Sequence, residues 1–599
     1  MNKKELATVV ALILLIPVVL LVDRRFVKPL FPEPLPTPVP EVMEPRETES
    51  PSRTPDAIAA PAIAPVERIP EAVERVPVPA SVPESTFTLQ NQQLTLEVTN
   101  RGAGIRFASL NDFPKTLADN QAKGNVEEWT PIQFSFDEEP ALALDGGLLP
   151  LGTVFQAEEL EAGNAIRFTA VLEEGGLRFE RTLRLGEGYV VRVNDRWINS
   201  LGETVRIPEH TLWLGRMLPL EDVSQRFGPF LGVDARHIGG EGIRHYVKQI
   251  AKWAKDAEQI REERIDIGFD WFTAKNKFFT QVLTVLPSDL AGAAGLRIRT
   301  RAGSGDARVG MVQPGARFGA EELPAGQTLE RNFTYYVGPM KLENLRELGQ
   351  GQHGMIDVRL WPIFVPIGRL MMNGLNGLYS VVRNWGVAII LLTVVVRMLF
   401  WPLTQKGAEN MKKMSEISPQ IKEIREKYKS NPQKMQQATA ALYKENKVNP
   451  MAGCLPMFVQ IPVFFSLYGV LRVAVELRFA EFLWVKDLSE QEALFFIAGF
   501  PVNILPLTMG ATMILQQRMT PGTMDEQQRK IMMFMPIMFL FICYNMPAGL
   551  LLYWTTSNLI SIYQSWHTRK SQARKTAAQP PAAPAPAAAP LKKRSPKKR

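Results

Sequence analysis

Trp385-Gly-Val-Ala-Ile-Ile-Leu-Leu-Thr393-Val-Val-Val-Arg397-Met-Leu-Phe-Trp-Pro402-Leu403 decides the fold. As a helix it reaches about 28 Å, close to the roughly 30 Å of a bilayer's hydrocarbon. Its one charge, Arg397, costs about 2.5–3.5 kcal/mol at mid-membrane on insertion scales, so it reads as functional. Snorkelling of the long side chain to the headgroups is the bland alternative. Thr393, four residues earlier, shares its helix face. Four more long apolar segments follow, about Met451–Val473, Ala493–Leu515, Ile531–Asn545 and Ala548–Trp566. A polytopic α-helical membrane protein is expected.

Working outward, the polar stretch Gln405–Asn449 holds ten Lys/Arg against five Glu and breaks at Ser430-Asn431-Pro432, which reads as a helical hairpin. The loop Ala474–Glu492 is acidic: Glu476, Glu481, Asp487, Glu490 and Glu492 against Arg478 and Lys486. The tail from His567 carries ten Lys/Arg and no acid. The positive-inside rule then puts hairpin and tail in the cytoplasm and the acidic loop outside. With the apolar run Leu6–Val22 as a first span, six transmembrane helices are expected, N-in and C-in. No small-x-small site precedes Asp23-Arg24-Arg25, so that run reads as an uncleaved anchor rather than a signal peptide.

Between the first span and the others lies a long soluble portion. Fifteen of the 46 prolines fall between Pro29 and Pro83, in a spacer that cannot bury enough surface to fold. From Thr86 the period becomes two: Leu94, Leu96 and Val98; Ile166, Phe168 and Ala170; Tyr189, Val191 and Val193. Many short strands separated by Gly-rich breaks predict a large β-sandwich on the outer side. Phe364, Ile367, Met371, Leu375, Leu378 and Val382 then recur at helical spacing, as for a helix lying in the membrane interface. The expected domains are a transmembrane anchor (1–27), a Pro-rich linker (28–85), a periplasmic β-domain (86–345), a linker with an amphipathic helix (346–383), a five-span core (384–566) carrying the hairpin 405–449, and a basic tail (567–599).

Little points to catalysis. There is no Walker A, His-Glu-x-x-His or Gly-x-Ser-x-Gly motif. Two cysteines and five scattered histidines argue against a metal centre, and Gly102-Ala103-Gly104 reads as a turn. No enzyme activity, cofactor or DNA partner is expected; the net charge of +8 is accounted for by the tail. Polar residues do recur in the spans: Gln460, Asn503, Thr508, Thr512, Thr555, Thr556, Ser557 and Asn558. They serve either as interhelical glue or as the lining of a wet cavity around Arg397. Eighteen of 23 methionines fall between Met355 and Met546, suiting core filling or surfaces that accept varied apolar partners.

Asn384-Trp385-Gly386, Arg397, Pro402-Leu403-Thr404, Leu442-Tyr443-Lys444, Val448-Asn449-Pro450, Gly453-Cys454, Pro456, Gln460-Ile461-Pro462, and Tyr553 with Ser557-Asn558 together resemble the YidC/Oxa/Alb membrane-protein insertases across about Trp361–Trp566. The anchor and β-domain resemble the Gram-negative form. The resemblance implies a five-helix insertase core around a hydrophilic groove, with Arg397 and Thr393 in the groove and Tyr553 and Trp554 as the aromatic pair of the last span. It implies a periplasmic β-supersandwich and a hairpin that receives substrates. Nascent membrane proteins, the Sec translocon, the signal recognition pathway and the ribosome are the implied partners. The basic tail could contact ribosomal RNA or anionic lipid.

Rival readings remain. A secondary transporter would show internal repeats and paired broken helices, which the sequence lacks by eye. A membrane-anchored periplasmic protein that binds or modifies carbohydrate would need a carboxylate pair in the β-domain, which the sequence cannot place, and leaves five spans unexplained. A Sec-accessory membrane chaperone without autonomous insertion is a further alternative.

Overall fold

The computed structural model describes residues 82–577 except 122–128, 173–175, 222, 224–229, 239, 241, 256–258, 286–292, 304–308, 360–363, 450–454, 498–499 and 520–525. The expected anchor, most of the Pro-rich linker, the turn around Gly453-Cys454 and the end of the basic tail lie outside the described residues.

The β-domain is built on a nine-stranded antiparallel sheet with Phe279–Val285, Thr328–Pro339, Val190–Asn199 and Leu177–Leu185 adjacent in that order. A five-stranded sheet centred on Val309–Phe318 and a four-stranded sheet of residues 86–135 accompany it. Leu177–Leu185 alternates buried and more exposed positions along its length, as a strand with one face on the core should. Phe269–Lys275 and Phe279–Val285 depart from that pattern and are buried along nearly their whole length. Phe279 shows why: its ring meets Phe113 at 5.4 Å and Phe134 at 5.6 Å, so the four-stranded sheet covers this part of the larger one. Inside the core, Arg181 faces Asp195 across adjacent strands, with Nε to Oδ1 at 2.7 Å and Nη2 to Oδ2 at 2.6 Å. Gly102 (φ +76°) and Ala103 (φ +49°) do form a turn.

Eight helices are described beyond Val365. They are α1 (Val365–Val382), α2 (Trp385–Glu416), α3 (Ser418–Lys427), α4 (Pro432–Glu445), α5 (Leu455–Leu471), α6 (Ile504–Met519), α7 (Glu526–Cys543) and α8 (Ala548–Ala577). Arg383 adopts a left-handed conformation (φ 53°) that ends α1, and the Asn384 side chain caps α2 by accepting from the Val387 amide at 3.0 Å. Helix α1 packs Met372 and Leu375 into the same cluster as Ile389, Leu392, Leu467 and Leu551. Among the described helices, α2 alone is long and apolar enough to cross a membrane by itself; 460–471 and 534–543 are shorter apolar stretches.

Two details differ from the sequence expectation. Helix α2 does not stop at Leu403 but runs through Pro402 to Glu416, so the first arm of the hairpin begins as an extension of the span. The segment Ala493–Leu515 is not one helix: Phe495–Ile497 and Phe500–Val502 pair as a short antiparallel ribbon, and α6 starts only at Ile504. The ribbon is rich in Phe, Ile and Val, which favour strands, and Pro501 and Pro506 flank the helix start, where an interior turn would need their missing amides.

Candidate functional site

Arg397 lies on α2, about three and a half turns beyond the Asn384 cap, and is half-buried. Its guanidinium crosses to α8, where Nε donates to Ser557 Oγ at 2.8 Å and Nη2 donates to the same oxygen. One turn earlier on α8, the Tyr553 hydroxyl accepts from Gln460 Nε2 of α5. Three helices thus bring Arg397, Ser557, Tyr553 and Gln460 into one polar cluster. Ser557 and Tyr553 are fully buried. Among the described residues the Arg397 guanidinium bonds only the neutral Ser557 hydroxyl, and no carboxylate lies within ion-pair distance of it. A cation held by neutral acceptors in an apolar bundle keeps its attraction for an incoming anion, because nothing nearby has cancelled its charge.

The other predicted site residues separate into three kinds. Trp554 sits beside the cluster, its ring between Phe464 of α5 (4.6 Å) and Phe539 of α7 (5.2 Å). Thr393 is fully buried and donates to the Ile389 carbonyl of its own helix at 2.7 Å. Asn558 bonds Thr512 of α6 at 3.1 Å. Asn503 lies apart, just before the start of α6: its Oδ1 accepts from the Ala493 amide (2.8 Å) and its Nδ2 donates to the Tyr544 carbonyl (2.8 Å). The structure therefore gathers Arg397, Gln460, Tyr553 and Ser557, flanks them with Trp554, and uses Asn558 and Asn503 as ties between elements.

Sequence reasoning missed a second group, where the acidic loop meets the β-domain. Lys277 Nζ donates to the Ser489 carbonyl at 3.1 Å and pairs with Glu490. Arg478 donates to the Pro114 carbonyl (2.8 Å) and the Lys115 carbonyl (2.9 Å). Val475 of the loop belongs to the β-domain core. The loop also holds the start of α8, since the Ala548 amide donates to the Glu490 carbonyl (2.8 Å) and the Gly549 amide to the Leu488 carbonyl (2.9 Å). The loop's acidity is the one signal in the sequence, and by itself it reports only topology.

Among the described residues, no three His, Cys, Asp or Glu side chains gather as a metal site needs. His237 bonds Tyr246 OH at 2.7 Å and His245 bonds Asp234 at 2.9 Å.

Residues 377–575 match the family model described as 60Kd inner membrane protein, and residues 86–372 match the YidC periplasmic domain. The chain is 30% identical over 510 residues to the membrane protein insertase YidC of Syntrophus aciditrophicus, covering 84% of this chain and 88% of that one. It is 31% identical over 512 residues to that of Pelobacter propionicus, covering 82% and 89%. A crystal structure of an active YidC insertase with its first transmembrane domain resolved covers 81% of this chain and 95% of its own, at 18% identity and a TM-score of 0.33. The two matched regions mark an inner-membrane protein that carries a periplasmic β-rich domain. This chain belongs to the YidC family of membrane protein insertases. Its relatives are named as insertases, not as enzymes.

Proposed function

We propose that this protein inserts nascent membrane proteins into the bacterial inner membrane, alone or with the Sec translocon, through a hydrophilic groove centred on Arg397. The observation that carries this reading is the Arg397–Ser557 contact between α2 and α8, in which the guanidinium has only a neutral partner among the described residues. A substrate's polar flank cannot cross about 30 Å of hydrocarbon unaided. A wet groove shortens the dry path, and Arg397 draws in an acidic flank. The apolar segment then leaves along α5 and α7 into lipid, where its burial drives the step at about 25 cal/mol per Å². The membrane potential adds roughly 2.3 kcal/mol per charge per 100 mV for acidic flanks.

Six spans with both termini in the cytoplasm complete this reading. The hairpin of α3 and α4 receives substrates, and the basic tail meets the ribosome, the signal recognition pathway or anionic lipid. Thr393, Trp554, Asn503 and Asn558 act by holding the groove's walls.

Purified protein in liposomes, given a single-span substrate with an acidic N-terminal tail, tests the reading by protease protection. Protection above that of empty liposomes, without ATP or Sec components, supports an autonomous insertase. Protection only after the Sec complex is added supports the accessory role, and Arg397→Ala protecting as well as wild type removes Arg397 from the mechanism.

A further inference from the structure

The ribbon that replaces the first part of the expected span exposes Phe495, Phe496 and Ile497 in succession, at 49%, 65% and 60%. Consecutive strand residues point to opposite faces, so the Phe495–Ile497 strand presents bare apolar side chains on both of its faces. A lone two-stranded ribbon is marginal in water, and a contiguous apolar patch marks a surface with a partner.

The neighbours extend the patch. Tyr544 OH donates to the Pro501 carbonyl at 2.8 Å, tying the ribbon to the outer end of α7, whose last turn exposes Phe541 (79%) and Ile542 (53%). On the other side, the Trp484 indole N–H donates to Glu492, next to a turn that exposes Leu483 at 75%. The loop carrying Trp484 is the one seated on the periplasmic domain, so the patch lies on the periplasmic side.

We propose that this patch is an interfacial anchor, with the ribbon of Phe495–Ile497 and Phe500–Val502 embedded at the headgroup boundary of the periplasmic leaflet and lipid as its occupant. Continuity with the apolar end of α7 argues for lipid. So does depth. From Arg518 in its last turn to Ile504, α6 rises about 21 Å, roughly 9 Å short of the hydrocarbon's far edge. Three strand residues supply about 10 Å. A two-stranded ribbon cannot pair the outward-facing backbone groups of both its strands within its own ladder, which keeps it out of the dry interior and at the depth where water and headgroups can bond them. This anchor is independent of the insertion reading, because it requires no substrate.

The test is electron paramagnetic resonance on the full chain in phosphatidylethanolamine–phosphatidylglycerol vesicles. A nitroxide is placed at Phe496→Cys in a Cys454→Ser, Cys543→Ala background, with a second label site at Leu483→Cys and a control at Val171→Cys in the β-domain. Oxygen partitions into lipid, and a nickel chelate stays in water. The expected result is an oxygen-to-nickel accessibility ratio several-fold higher at 496 and 483 than at 171. A ratio equal to the control places the ribbon in water and overturns the proposal. Exclusion of both probes means that a second copy or another protein covers it, which also overturns it.

Discussion

Lys277 of the periplasmic domain and Glu490 of the loop between α5 and α6 form an ion pair across 213 residues of sequence, with the lysine side chain only 3% exposed. The ammonium also lies 4.7 Å from the Phe278 ring. Burial pushes its pKa below the ordinary lysine value, against the pull of Glu490. Removing one partner of such a pair leaves the other buried and uncompensated. Lys277→Met is expected to destabilise the junction by about 2 kcal/mol, less than for a fully buried pair because Glu490 is partly accessible. Hydrogen exchange in 473–492 should rise in Lys277→Met and fall back in Lys277→Met/Glu490→Leu. Equal exchange in all three forms would show that the pair does not hold the junction.

A glycine at the start of α2 is under a similar constraint. An ideal Cβ on Gly386 would sit 2.1 Å from Cγ of Phe482, whose backbone is held in a paired turn with Val485. Gly386→Ala should cost about 1–3 kcal/mol, the usual penalty for overpacking. Phe482→Leu in the same chain should recover part of it. Thermal melts in detergent of wild type, both single variants and the double variant measure both, and a neutral Gly386→Ala would mean that the loop moves aside freely.

Residues acting within one element were legible in sequence. The period-two runs at Leu94, Ile166 and Val191 lie on strands. Arg397 stood out because a charge in an apolar run is costly wherever its partner lies. Ser557 could be named as one of several polar residues in the spans, but its contact with Arg397 could not, since the two are 160 residues apart. Lys277 was invisible for the same reason. The ribbon is hidden in the sequence on other grounds: an apolar run of strand formers has the same hydropathy whether it pairs or coils, and only the prolines hint at the late start of α6.

The Arg397–Ser557 contact separates charge from placement in the proposed groove. Hydrogen bonds to a charged group contribute about 1.5–3 kcal/mol. Ser557→Ala keeps the charge but frees the guanidinium, so insertion of an acidic-tailed substrate should fall a few-fold. Arg397→Ala should lower it by about tenfold or more. Arg397→Lys should fall between them, because a compact ammonium cannot make the two-nitrogen contact to one oxygen. Initial rates of protease protection in proteoliposomes read all three. Ser557→Ala proving more damaging than Arg397→Ala would make the serine, not the cation, the groove's working group.

A buried imidazole in the periplasmic domain predicts a pH dependence. His210 Nδ1 donates to the Pro208 carbonyl at 2.9 Å, so Nε2 is the acceptor for Arg331 Nη1 at 3.1 Å. Burial lowers its pKa to about 4, with the arginine adding to the effect and the Pro208 bond opposing it. An unfolded histidine titrates near 6.5, so between those values the unfolded chain binds more protons than the folded one. Stability contributed by neutral His210 is therefore complete above about pH 6.5 and is lost as the pH falls toward about 4, by roughly 3 kcal/mol at most. Exchange of the amides in His210–Trp213 should accelerate, after correction for intrinsic rates, as the pH drops from 7 to 5. His210→Gln can keep both hydrogen bonds without titrating, so its corrected exchange should be flat over that range. A slope that persists in His210→Gln would assign the pH dependence to another group.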